Sequence, residues 1–223
     1  MIKEIRPIEH ISADEPLPLF QGLAVVPLIR RRRSATRFLR TVLLNPNIAT
    51  ILERLPELGV DAWLTAGCLV QTVWNVQSGR SSHAGIDDYD VIYRDSDTSW
   101  EVEDRVIKRA NSLYSDLGVE VQVRNQARVP LWYHHRFGIP FPPVREAPHA
   151  LLRYPSRATA IALTRRPCGE YVFYAPFGFR DALSMRVRPN RRLRIPDVYH
   201  AKTLRWRMVW PMLTVEPWDP AGD

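Results

Sequence analysis

Residues 85–95, GIDDYDVIYRD, carry the decision about fold. The middle of this stretch has the β-branched and aromatic content of a buried strand, yet Asp87, Asp88 and Asp90 fall within four residues. Side chains alternate along a strand, so Asp88 and Asp90 project from one face and Tyr89 and Val91 from the other. Two ionised carboxylates about 6 Å apart repel by about 2–3 kcal/mol at an effective dielectric near 20. A divalent cation offsets that repulsion. Hard oxygen ligands on adjacent same-face positions suit Mg²⁺, with Mn²⁺ as its substitute. Standing alone, a D-x-D pair more often marks an acidic strand end open to solvent, so its surroundings must decide.

Upstream, Asp61 to Ala66 reads as a short strand ended by Gly67. Leu69, Val70, Val73, Trp74 and Gln77 then give the next helix an inward stripe, closed at Ser78-Gly79. A glycine at that entrance lets an anion approach the helix N-terminus, whose free amides and dipole favour phosphate. Cys68 is small enough to keep the entrance open, and Gln71 lies one turn along the same helix. A phosphate cradle followed by a carboxylate pair makes a workable nucleotide-phosphate site, with Gly67, Cys68, Gln71, Asp88 and Asp90 as its members.

The rest of the chain supplies the frame. Asn45-Pro46 reads as an N-cap with a first-turn proline, opening a helix through Leu55. A helix over Ser34–Leu44 precedes it. Thr98 with Glu101 reads as a capping box for a helix ending near Gly118. Val119 to Val123 alternates valines with Glu120, Gln122 and Arg124. Asn125, Gln126 and Arg128 follow at once; the amides suit a turn, and the Arg128 guanidinium is a candidate for phosphate. Pro130 to Pro155 reads as irregular. Ala158–Leu163 and Tyr171–Tyr174 form a hairpin. In APFGFRDAL (175–183), Gly178 shapes a turn and Asp181 caps or salt-bridges. Helices interleaved with strands predict an α/β (α+β) domain.

Composition sets outer limits. Of 223 residues, 45% are hydrophobic and 25% charged, as in ordinary globular domains. No apolar run reaches the roughly 18 residues of a membrane span, and the N-terminus has acids and prolines where a signal peptide would be apolar; a cytoplasmic protein is expected, with no membrane partner. Cys68 and Cys168 are too far apart for a zinc knuckle, and the adjacent His134 and His135 diverge. The net charge of +7 comes from arginine, since Lys3, Lys108 and Lys202 are the only lysines among 31 basic residues. Residues 1–40 read as a basic extension carrying Arg30–Arg33, 41–215 as the domain and 216–223 as a flexible tail. Arg186, Arg188, Arg191, Arg192, Arg194, Arg205 and Arg207 form the densest basic stretch. It suits RNA or a triphosphate, and also suits a plain solvated face.

Strand, glycine, small residue and helix followed by hDhDh resembles the DNA polymerase beta-like nucleotidyltransferase superfamily. AGCLVQTVWN (66–75), IDDYDVIYRD (86–95), NQAR (125–128) and APFGFRDAL (175–183) are similar, in order, to a bacterial group usually called nucleotidyltransferase family protein. The resemblance spans about residues 45–213. It implies the nucleotidyltransferase fold, a mixed sheet flanked by helices. It also implies NMP transfer from an NTP such as ATP, with Gly67 opening the phosphate turn and Asp88 and Asp90 holding Mg²⁺. The superfamily adds a third carboxylate on a later strand. Here Gln122 occupies that position and Glu120 lies on the same face two residues earlier. The usual Gly-Ser pair is Gly67-Cys68. RNA or tRNA is the acceptor the resemblance suggests, with a toxin–antitoxin partner as a further implication. The competing expectation is a degenerate module that binds nucleotide or RNA without turnover.

Overall fold

The computed structural model describes residues 9–11 and 28–219. In chain order its elements are β1 (Glu9–Ile11), α1 (Leu28–Val42), α2 (Pro46–Arg54), β2 (Trp63–Thr65), α3 (Gly67–Gln77), β3 (Asp88–Tyr93), α4 (Trp100–Leu113), β4 (Glu120–Asn125) and α5 (Val129–Phe137). There follow β5 (Ala162–Arg165), β6 (Tyr171–Tyr174), the short α6 (Arg180–Leu183), β7 (Arg186–Val187), α7 (Pro196–Val209) and β8 (Thr214–Val215). Six strands form one sheet in the order β1-β6-β5-β2-β3-β4. Only β3 and β4 run parallel within it. The mixed sheet flanked by helices is therefore present.

Period-two alternation gives this sheet two buried faces. Tyr89, Val91 and Tyr93 are fully buried on one face, in the main core with Phe38, Leu52, Val73 and Trp74. On the other, Ile92 joins Trp63, Ala162, Val172 and Tyr174 in a second core, covered by Ala147 and Leu151 of a 3-10 segment over Ala147–Arg153. Asp88 and Asp90 share a face with Ile92 but lie nearer the start of β3. The sheet is thus dry on both sides except where the carboxylates begin.

Asn45 ties three elements together. Its Oδ1 accepts the amides of Asn47 and Ile48 at 3.0 and 3.4 Å, capping α2 as the sequence indicates. Its Nδ2 donates to Thr72 Oγ1 of α3 at 3.0 Å and to the Tyr89 hydroxyl of β3 at 3.3 Å, with the whole residue buried. A second node is Asn75, whose Nδ2 donates to the carbonyls of Ser82 and Ala84, holding the loop that delivers β3. Its Oδ1 accepts Trp210 Nε1 at 3.0 Å, and Trp206 and Trp210 pack edge-on against Trp74. The α7 segment is thereby fastened to α3.

Several sequence expectations change here. Pro130–Pro155 is not irregular throughout: α5 starts with Pro130 in its first turn and ends at Gly138, and the 3-10 segment likewise has a proline in its first turn. Proline at a first turn starts a helix, because its missing N–H has no intrahelical acceptor there. The α4 helix begins at Trp100 after Ser99, with no side-chain cap; instead Asp97 accepts the Ser99 amide at 2.9 Å, so Thr98 is not the capping residue. The boundary drawn at residue 40 falls inside α1, whose Ala35, Phe38, Leu39 and Val42 are core. Residues 1–8 and 12–27 of that extension lie outside the described residues. The tail is anchored up to Trp218, which is buried against Tyr199 and whose carbonyl accepts Arg191 Nε at 2.6 Å; residues 220–223 also lie outside the description. No described helix is long and apolar enough to cross a membrane.

Asn45→Ala is expected to lower the unfolding free energy by about 2–4 kcal/mol, through a lost cap and unpaired buried groups. Asn47→Ala, which removes a less buried donor to the same Tyr89 hydroxyl, should cost about 1 kcal/mol or less. Urea unfolding of the two variants checks the contrast; equal losses would deny Asn45 its role.

Candidate active site

Strand register brings the acidic residues together. Asp88 stands opposite Glu120 and Asp90 opposite Gln122 in the parallel β3–β4 pair, while Thr65 stands opposite Asp90 on the other flank. All five side chains therefore share one face. Asp90 is partly buried, and desolvation first, then the charge of Asp88, pushes its carboxyl up to about 6. Lys202 and Arg124 pull it down, and Glu120 adds a smaller push upward. Glu120 is exposed and accepts Gln122 Nε2 at 2.9 Å. The glutamate is thus the acid on this face, and the glutamine holds it.

The turn from β2 into α3 lies at the same end. Ala66 adopts φ 65°, ψ −130°, a conformation that costs an L-residue of order 1–3 kcal/mol and is held here by packed elements on both sides. Helix α3 starts without a side-chain cap or an acidic residue in its first turn, so its leading amides and positive dipole end are open to an anion. A Cβ on Gly67 would lie 2.8 Å from Gln71 Nε2; the Gln71 amide folds over the glycine and would have to swing aside for a larger residue. Cys68 points inward, its Sγ donating to the Thr65 carbonyl at 3.4 Å. Burial, then Asp90 and Asp88, push its thiol well up. Cys68 can serve a ligand through its backbone amide alone.

Arg128 is placed elsewhere. Its Nε pairs with Glu103 at 2.8 Å, its Nη1 donates to the Thr98 carbonyl at 2.6 Å, and its guanidinium stacks over Trp100. It follows the end of β4 remote from Asp88, which corrects the expectation that it meets phosphate. The Asn125 side chain accepts the amides of Asp95 and Ala127 and donates to the carbonyls of Asp95 and Asp97, and the Gln126 backbone amide donates to the Tyr93 carbonyl. Asp181 is a buried partner of Arg188, with contacts of 2.9–3.1 Å. His134 and His135 are exposed on α5.

Two neighbours of Asp90 escaped the sequence reading. Tyr154 follows the 3-10 segment; burial and the Asp90 charge raise its phenol, and a hydrogen bond with Thr65 opposes this. Lys202 comes from α7. Tyr154 sits in a proline-rich stretch without periodicity, and Lys202 in a basic region where nothing singles out one charge.

The sequence of residues 54–215 matches a protein-family model described as Nucleotidyltransferase. The chain belongs to that family. A search of curated proteins finds no match. Among solved structures, one described as an NMR structure that reveals a CCA-adding enzyme head domain is similar. It is 25% identical, with a TM-score of 0.64, over 81% of this chain and 94% of that one. Family and fold thus agree with the strand–glycine–helix and D-x-D motifs.

The raised Asp90 carboxyl has a definite sign. A carboxyl that protonates near pH 6 when folded and near 3.8 when unfolded stabilises the fold fully below pH 4. That contribution is lost as pH rises through 6 and amounts to about 3 kcal/mol. Asp90→Asn should therefore raise the unfolding free energy of the ligand-free protein by about 1–3 kcal/mol at pH 8 and change it little at pH 4. Urea unfolding at both pH values measures this; a difference independent of pH would contradict the buried charge.

Proposed function

We propose that this nucleotidyltransferase moves a nucleoside monophosphate from an NTP to a hydroxyl of an RNA acceptor. The observation that carries the reading is the register: Asp88, Asp90 and Glu120 share one sheet face beside the uncapped start of α3. The donor set fits a divalent cation. Asp90 is a partly buried carboxyl beside a second one, and among the described residues neither forms an ion pair. Nor do three His, Cys, Asp or Glu residues among those described form a metal cluster. Two carboxylates with the remaining positions left to phosphate and water is how Mg²⁺ is usually held. Asp88 and Asp90 would hold it, and its chemistry there is to offset triphosphate charge and polarise the attacking hydroxyl.

The chain's own groups then have distinct tasks. The first amides of α3, from Gly67 and Cys68, receive phosphate oxygens, with the Gln71 amide beside them. Glu120 accepts the proton of the acceptor hydroxyl, and Gln122 orients Glu120 through their hydrogen bond. The hydroxyl oxygen bonds to the α-phosphorus, the bond from that phosphorus to the β-phosphate's bridging oxygen breaks, and pyrophosphate leaves. Exposed Arg191, Arg192, Arg194, Arg205 and Arg207 supply positive surface for an RNA backbone. The similarity to a CCA-adding enzyme head domain supports RNA as the acceptor class. The second reading, binding without turnover, is favoured by Gln122 at the third-acid position.

Transfer of label from α-labelled NTPs to bulk tRNA in Mg²⁺ separates the two. Wild type should label RNA, Asp88→Asn should abolish labelling, and Glu120→Gln should slow it about 10²–10⁴-fold, the usual worth of a general base. Labelling unchanged in Glu120→Gln would remove that residue from the chemistry. Tight NTP binding without labelling of RNA would favour the binding module.

A further inference from the structure

The sheet has an open edge beside the acidic face. Strand β4 is last in the strand order, with β3 on one side and no described strand on the other. It pairs with β3 over all six residues without a bulge and contains no proline, two of the devices that commonly keep an edge from pairing. A groove of about 370 Å³ runs along this edge, walled by residues 118–124 and by Ile107, Ala110 and Asn111 of α4.

The hydrogen bonds at the end of β4 show which of its backbone groups face outward. The Gln126 amide donates to the Tyr93 carbonyl of β3. The Asn125 amide turns away from β3 and donates to Glu103 Oε1 at 2.9 Å. Backbone direction alternates along a strand, so Val121 and Val123 also turn their amides and carbonyls outward. No described strand answers them; the Val123 carbonyl accepts Nη1 of the neighbouring Arg124 at 3.1 Å.

Those directions limit what can pair there. An antiparallel strand must set outward-facing residues opposite outward-facing residues. For a second copy of β4 related by a two-fold axis, the axis then passes through Val121, Gln122 or Val123. An axis at Val123 needs the Asn125 amide, which Glu103 already holds. An axis at Val121 sets Arg124 opposite the partner's Gly118 and leaves its charge unmatched. An axis at Gln122 matches everything: Val121 exchanges both backbone bonds with the partner's Val123, and Glu120 stands opposite the partner's Arg124. The valine pairs fall on the α4 side, where the groove lies, and the charge pairs fall on the side of Asp88 and Asp90. Glu120 and Arg124 are both exposed and form no ion pair among the described residues. About 13 Å apart along their own strand, they cannot pair with each other. Glu-Val-Gln-Val-Arg (120–124) is thus symmetric about its glutamine in shape and opposite in charge, which suits an isologous contact.

We infer that two copies of this protein join through β4, antiparallel and two-fold about Gln122, so that one sheet runs through both. The partner's Arg124 then stands beside Glu120, and each copy contributes a charge to the other's acidic face. The inference goes beyond the transferase reading and does not depend on it.

Sedimentation velocity of the full chain over a concentration series tests this for wild type, Glu120→Arg and Arg124→Glu. Wild type should show a reversible monomer–dimer equilibrium. Each variant sets like charges opposite each other twice and should weaken the dimer about tenfold or more. An equimolar mixture of the two variants should dimerise again, because every opposed pair then has opposite charge; misfolded variants could not rescue each other in this way. The position of the axis is read by Gln122→Cys in a Cys168→Ser background, which removes the exposed thiol and keeps the buried Cys68. Residues facing each other across such an axis have Cα atoms about 4.5 Å apart, within disulfide range, so mild oxidation should link two copies, whereas Glu120→Cys in the same background should not link. Wild type monomeric at every concentration, a mixture that stays monomeric, or no linkage through Gln122→Cys would each overturn the inference.

Discussion

Two partly buried carboxylates on one face of β3 set the terms for the structure around them. Both faces of the sheet are packed, so solvent reaches this strand only at its start. Burial and Asp88 together raise the Asp90 carboxyl, a cost that an arginine pair could have removed. The chain is rich in arginine, yet its described ion pairs serve other acids: Arg54 with Asp116, Arg128 with Glu103, Arg186 with Glu216 and Arg188 with Asp181. Compensation is left to what binds. Unpaired like charges held in place by a rigid fold are a feature of sites rather than of cores.

The framework that holds these groups uses neutral amides. Asn45 joins α2, α3 and β3, and Asn75 joins α3, α7 and the loop before β3. Buried, fully bonded amides fix geometry without adding charge to a site whose electrostatics are already demanding. The strained Ala66 belongs to the same scheme, because it aims the start of α3 toward the carboxylates. Position, more than any single bond, is what the fold provides.

Much of this was legible in the sequence because local rules and tertiary context agree. The Asn45 cap, the strand–Gly67–helix turn and the alternation of β3 and β4 formed where pattern placed them, while the hairpin formed with its first strand at Ala162–Arg165 instead of Ala158–Leu163. Proline-rich segments misled because proline both breaks and starts helices, which hid α5 and the 3-10 segment that covers the second face of the sheet. Arg128 misled because nearness in sequence to the acidic strand says nothing about which end of β4 it leaves. Lys202 and Tyr154 reach Asp90 only through packing between distant parts of the chain, a relation that no single-sequence period records. The choice between Glu120 and Gln122 needed the β3–β4 register and the bond between the two side chains.

Family membership, the head-domain likeness and the register of three carboxylates support the proposed NTP site, whose metal would arrive with its nucleotide. Electron paramagnetic resonance of Mn²⁺, used as the probe cation, tests that most directly. Wild type is expected to immobilise Mn²⁺ strongly only when an NTP is present, and an Asp88→Asn/Asp90→Asn variant shown to be folded should leave the Mn²⁺–NTP signal as it is in solution. The same immobilised signal in the double variant would contradict the account.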